Sequence, residues 1–172
     1  MKPSLPATAA LTAMTTITHY LEADHRYCDE QLAVAETCVA KNSWSAARTA
    51  FVEFDRALNR HLDVEETVLF PAFERTPGAP SGPTNMMRAE HQQIRDIVDS
   101  MQGALLANDA DDFSGHADVL HILMGQHNMK EESVLYPMAD RFLAGTAGEV
   151  IAGMRNRHID TEKADGHECD PT

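Results

Sequence analysis

Apolar residues return every three to four positions along most of this chain, with charged residues between them, and no stretch shows the strict alternation of a half-buried strand. That periodicity predicts helices throughout. Residues 12 to about 40 carry Ile17, Leu21, Leu32, Ala35 and Val39 on one face. Asn42 and Ser43 are residue types that start helices, and a second run from 45 to about 75 carries Phe51, Phe54, Leu58, Leu62, Val68 and Leu69. The segment T-P-G-A-P-S-G-P (76–83) cannot continue it, because proline lacks the backbone N–H that a helix needs. A third helix from about 84 to 107 carries Met87, Ile94, Ile97, Val98, Met101 and Leu105. After a polar break at 108–112, a fourth runs to about 143.

Short connections make successive helices antiparallel neighbours. The expected fold is therefore all-α: an antiparallel up-down four-helix bundle with a short additional C-terminal helix, in a single domain spanning 1–172. The bundle occupies about 12–143. The extra helix, about 149–161, places Val150, Ile151 and Met154 on one side and either packs across the bundle or serves a homodimer contact. Residues 164–172 are polar and are expected to be disordered; His167 and Cys169 there could bind a stray metal.

A formal net charge of −13 repels phosphate backbones and acidic lipid, which argues against nucleic acid as a partner. Carboxylates drawn inward to cations would leave the surface less negative than that figure. No run approaches the roughly 18 apolar residues of a membrane span, so no membrane is expected. Pro3 and Pro6 spoil residues 1–14 as a secretory signal. Three irregularly spaced cysteines suggest neither a disulfide framework nor a zinc knuckle, which fits a reducing cytoplasm.

Chemistry concentrates in a repeat. H-L-D-V-E-E-T-V-L-F-P (61–71) and H-N-M-K-E-E-S-V-L-Y-P (127–137) match closely, each late in its helix. Residues four apart project from one helical face, so His61 with Glu65 and His127 with Glu131 each form a two-point claw. Imidazole nitrogen plus carboxylate oxygen suits iron, manganese or zinc. Leu69 and Leu135 continue the same stripes, so the claws face apolar core, where an unpaired carboxylate is costly and a cation offsets that cost. Glu66 and Glu132 point elsewhere and are expected to back the ligands or lie on the surface.

His25 and His91 stand alone on the other two long helices. At about 1.5 Å per residue, His25 lies about 22 Å from its helix end and His61 about 25 Å from the next helix start, which puts them level. The same reckoning places His91 and His127 about 25 and 22 Å from the third turn. All four helices thus offer candidate ligands at one height.

This order of His, His-x-x-x-Glu, His and His-x-x-x-Glu on four successive helices resembles the hemerythrin-like, or HHE cation-binding, family, over about 16–142. The resemblance implies metal ligation by His25, His61, Glu65, His91, His127 and Glu131. It implies two non-haem iron ions bridged by both glutamates and an oxo or hydroxo group, with zinc or manganese as substitutes. Binding or sensing of O2 or related small oxidants such as peroxide or nitric oxide follows from the same likeness. A di-iron redox enzyme that detoxifies peroxide and an iron or zinc store are the rival readings. Ferritin-like proteins present Glu-x-x-His instead, the reverse order and a different spacing.

The oxygen-carrying members have a fifth histidine one turn from the third-helix ligand. Here Met87 and Arg95 occupy the turns beside His91, and neither replaces an imidazole on ferric iron. Members resembling iron–sulfur repair proteins share the four-histidine site but carry a paired-cysteine module that has no counterpart here. His19 and His121 lie off the ligand faces, and His116 and His158 show no pattern. Cys28, three residues past His25, either faces the cluster as a sulfur or redox partner or, the favoured reading, is buried as a small hydrophobe; Tyr27 and Tyr136 are open in role, and Pro71 and Pro137 should kink their helices beyond the ligands.

Overall fold

The computed structural model describes residues 16–80 and 82–165, with side chains described as far as Ile159, and all regular structure among them is helical. The order is α1 (Ile17–Ala40), α2 (Trp44–Val64), a π-helical turn (Glu65–Leu69) and α3 (Phe70–Glu74). Then come α4 (Gly82–Ala107), α5 (Ala110–Lys130), a second π turn (Glu131–Leu135), α6 (Tyr136–Phe142) and α7 (Ala147–Asp165). Each π turn joins its flanking helices without a break, so the described residues form five helical rods. Residues 12–15 of the expected first helix, and the tail from 166 with His167 and Cys169, lie outside the described residues.

Helix ends follow local chemistry. Thr16 starts α1, its hydroxyl accepting from the His19 N–H at 3.0 Å, and the Asp109 carboxylate caps α5 by accepting from the Asp112 N–H at 3.0 Å. Asn42 and Asn108, just past α1 and α4, sit at φ of 53° and 55°, a left-handed conformation that asparagine tolerates better than most residues. Asn42 therefore ends α1, while Ser43 stands at the start of α2 without a side-chain cap bond.

Pro71 and Pro137 each stand in the first turn of the helix that follows a π turn. The departure from α geometry comes before each of them: the Phe70 N–H reaches back five residues to Glu65 O, and the Tyr136 N–H does the same to Glu131 O. The buried stripes explain the wide turns. His61, Glu65, Leu69 and Phe73 are all buried, as are His127, Glu131, Leu135 and Ala139. On an ideal α-helix a four-residue step overshoots a full turn by about 40°, so three steps would swing the stripe about 120° off the core. One wide turn takes back part of that drift and keeps claw, leucine and the residue beyond on a single face.

α1 packs along α2, α4 along α5, and α1 also meets α5 and α6. α7 is longer than expected, absorbs residues 162–165 and lies across α1, α2 and the first π turn. It buries Val150, Ile151 and Met154, and packs so closely that a Cβ on Gly153 would stand 3.2 Å from Val68 Cγ1.

The core has two parts. One gathers Cys28, Leu32, Phe51, Phe54, Leu58, Ile94 and Met124, among others. The other gathers Leu21, Leu69, Phe70, Phe73, Met87, Leu135 and Met154, among others. Between Leu21 and Cys28, between Leu58 and Leu69, and between Met87 and Ile94, the chain changes from one core to the other, and a polar layer sits at the changeover.

Candidate metal centre

The polar layer consists of His25, His61, Glu65, His91, His127 and Glu131, each no more than 4% exposed. All six candidates from the sequence meet there. Glu65, His91, His127 and Glu131 offer four atoms within 4.8 Å of one another, and His25, His61 and Glu131 offer three. His25 and His61 approach Nε2 to Nε2 at 3.1 Å, and His25 Nε2 stands 3.2 Å from Glu131 Oε2. His61 and His91 Nε2 lie 3.5 and 3.3 Å from Glu65 Oε2, and His127 Nε2 lies 3.2 Å from Glu131 Oε1.

These spacings suit a shared cation. Bonds of about 2.0–2.2 Å in tetrahedral or octahedral arrangement hold neighbouring ligand atoms about 2.8–3.6 Å apart. Burial gives a second test. Glu65 Oε2, Glu131 Oε1, His91 Nε2 and His127 Nε2 are sealed from solvent and make no hydrogen bond. Unpaired buried polar atoms are costly, and four converging on one point offer a cation the donors it needs. The donor set is nitrogen and oxygen without sulfur, which fits iron, manganese or zinc.

Behind the histidines stands a ring of carboxylates. His25 Nδ1 donates to Glu132 Oε1 at 2.7 Å, His91 Nδ1 to Glu66 Oε1 at 2.8 Å and His127 Nδ1 to Glu90 Oε2 at 3.0 Å. His61 Nδ1 faces Asp24 Oδ2 at 3.7 Å, beyond hydrogen-bond range. A proton held on Nδ1 leaves the Nε2 lone pair pointing inward, the tautomer a metal requires. The carboxylates are fixed in turn: Arg95 Nη1 donates to Glu66 at 2.9 Å, Lys130 Nζ to Glu90, and His158 Nε2 stands 3.5 Å from Asp24.

Electrostatics within the layer favour positive charge. Burial pushes the His25 and His91 imidazoles down, but the close negative carboxylates of Glu131 and Glu65, with the backing glutamates, outweigh it. Their pKa values rise to about 9 and about 11. His127 is raised as well, again against burial, chiefly by Glu131. Burial raises the Glu131 carboxyl, yet the neighbouring His127, His25 and His91 imidazoles hold it well below the ordinary range. A place that holds protons this firmly holds a metal cation for the same reason.

Glu66 and Glu132 prove to back the ligands, while Asp24 and Glu90 escaped the sequence reading. Their signal was present: an acidic residue directly precedes each lone histidine, in A-D-H and A-E-H. Arg95, the neighbour that could not coordinate, pins Glu66, and Met87 belongs to the apolar core. His158, which showed no pattern, sits on Asp24 and meets the Tyr20 hydroxyl at 3.0 Å. His19 is exposed, and His121, also exposed, pairs with Glu36 at 2.9 Å. Cys28 is buried in the apolar core, where burial pushes its thiol up to about 12. Tyr27 is exposed beneath Arg60. Tyr136 is fully buried, its hydroxyl donating to Glu65 Oε1 at 2.8 Å and Glu131 Oε2 at 2.9 Å, and those contacts with burial raise its pKa well above 10.

An all-helical fold that closes two His-x-x-x-Glu claws and two further histidines into a buried layer defines a metal-binding protein of the helical-bundle class. The sequence profile of the hemerythrin HHE cation binding domain matches residues 16–139, and the chain belongs to that family. Searches of curated proteins and of solved structures found no match.

Proposed function

We propose that this protein is a non-haem di-iron protein that binds or senses O2 or a related small oxidant. His25 and His61 would serve one iron, His91 and His127 the other, with Glu65 and Glu131 shared between them. The four long rods would run up and down antiparallel around the pair, within one domain. The observation that carries this reading is the convergence of four sealed, unbonded donor atoms from Glu65, His91, His127 and Glu131. Iron, when bound, supplies reversible electron transfer to a small oxidant.

The chain's own groups do the rest. Glu66, Glu90 and Glu132 orient the imidazoles and hold their Nδ1 protons, which raises the basicity of Nε2. The two flanking apolar cores keep bulk water from the layer, so the carboxylates keep their full electrostatic strength.

Protein reconstituted anaerobically with ferrous iron should bind two ions per chain and change its visible spectrum on exposure to O2. The variant Glu131→Ala should lose at least one ion. Failure of the intact protein to take up iron would refute the proposal. Uptake of iron with an unchanged spectrum would leave storage as the function.

A further inference from the structure

The site is built from two matching halves that exchange partners. Glu66, beside the first claw, backs His91, and Glu132, beside the second, backs His25. Asp24 and Glu90, each preceding a lone histidine, face His61 and His127 in turn. Even the rings above the site correspond. Phe70 stacks on His91 at 5.7 Å and 26°, and Tyr136 stacks on His25 at 5.7 Å and 30°. These two residues hold the same place in the repeat, five positions after each glutamate of a claw. The hydroxyl of Tyr136 is the one atom by which the rings differ, and it points into the polar layer.

Its position is informative. Tyr136 Oη lies 2.8 Å from Glu65 Oε1, 2.9 Å from Glu131 Oε2 and 3.1 Å from His25 Nε2. These are the separations expected between neighbouring donors of one cation, about 2.8–3.6 Å. A hydroxyl that served only to satisfy a carboxylate would need one partner, and this one faces three candidate ligands from three rods. We infer that Tyr136 Oη is a seventh ligand of the centre, on the His25–His61 side, and that it makes the two metal positions chemically unequal. As the oxygen–metal bond forms, the phenolic proton leaves to solvent and no oxidation state changes. The His91–His127 side has only the phenyl ring of Phe70 at the matching place, so the position left for a small molecule falls there.

This inference rests on the proposed metal centre, and one experiment separates the two. Ferric-loaded wild-type protein and Tyr136→Phe are compared by bound iron per chain and by resonance Raman spectroscopy in the visible. Phe70 shows that this slot accepts a phenyl ring, so the variant should fold. The wild type is expected to show phenolate-to-iron absorption with tyrosine ring modes, and the variant to keep its iron and lose both. Iron bound by the wild type without tyrosine modes, or modes that persist in the variant, would overturn the inference while the metal-binding reading stands. No iron in either protein would sink both.

Discussion

At the scale of single residues, the centre shows how a histidine becomes a ligand: it needs a partner that decides which nitrogen keeps the proton. Glu66 is the clearest case. Burial pushes its carboxyl up, yet hydrogen bonds from His91 and Arg95 bring it down to about 2. It is therefore charged at every working pH and holds the His91 ring. Removing such a partner typically weakens metal affinity by about 10–100-fold. Glu66→Gln should lose affinity in that range in a chelator-competition titration, whereas Glu53→Gln on the exposed face of α2 should change nothing. Equal affinity in the two variants would show that Glu66 only decorates the site. Four of the six inward residues were legible in the sequence because a claw is local to one helix, and His25 and His91 because the rise per residue set them level with the claws. Most of their backing was not, because Glu66, Glu90 and Glu132 each lie on a different rod from the histidine they hold.

At the scale of elements, the wide turns and the start of α1 carry the precision. A spacing of four, four and four from His61 to Phe73 and from His127 to Ala139 was visible in the sequence, but an α-helix was the simpler expectation. Burial of every member of each stripe is what selects the π turn. The α1 terminus is tied down from a distance: the Ile17 N–H donates to Asp140 Oδ1 at 2.8 Å and the Thr18 hydroxyl to Oδ2 at 2.6 Å. Asp140 thus joins the first rod to α6, two turns from His25. Asp140→Ala should cost about 0.5–2 kcal/mol, as for loss of a helix cap. Thermal unfolding would show the loss, and amide exchange should quicken from Ile17 to Tyr20. Unchanged exchange there would mean that Thr16 alone holds the terminus.

At the scale of the molecule, a polar layer between two apolar cores couples stability to metal and to pH. His25 and His91 have pKa values raised from 6.5 to about 9 and about 11 in the fold. Their charged forms therefore stabilise chelator-treated protein fully below about pH 6.5. The His25 share is lost as pH rises through about 9, and the His91 share as it rises through about 11. Metal requires the deprotonated Nε2, so its affinity climbs over the same range. Binding to the folded state alone raises the melting temperature. The gap in Tm between iron-loaded and chelator-treated protein should widen from pH 6.5 to 9, measured calorimetrically. A gap that narrows over that interval would contradict this account of the layer.

The sequence by itself determined the helices, the claws and the height at which four histidines meet. Each of these depends on periodicity along one segment, and the 1.5 Å rise per residue turns position into depth. Tertiary structure alone decided which carboxylate backs which histidine and that Arg95 serves Glu66. It also decided that α7 lies across the first half of the bundle and that Tyr136 turns its hydroxyl inward among three ligands while Phe70 offers only a ring. Those outcomes depend on how rods pack side by side, and residues distant in the chain meet there through directions that no single helix encodes.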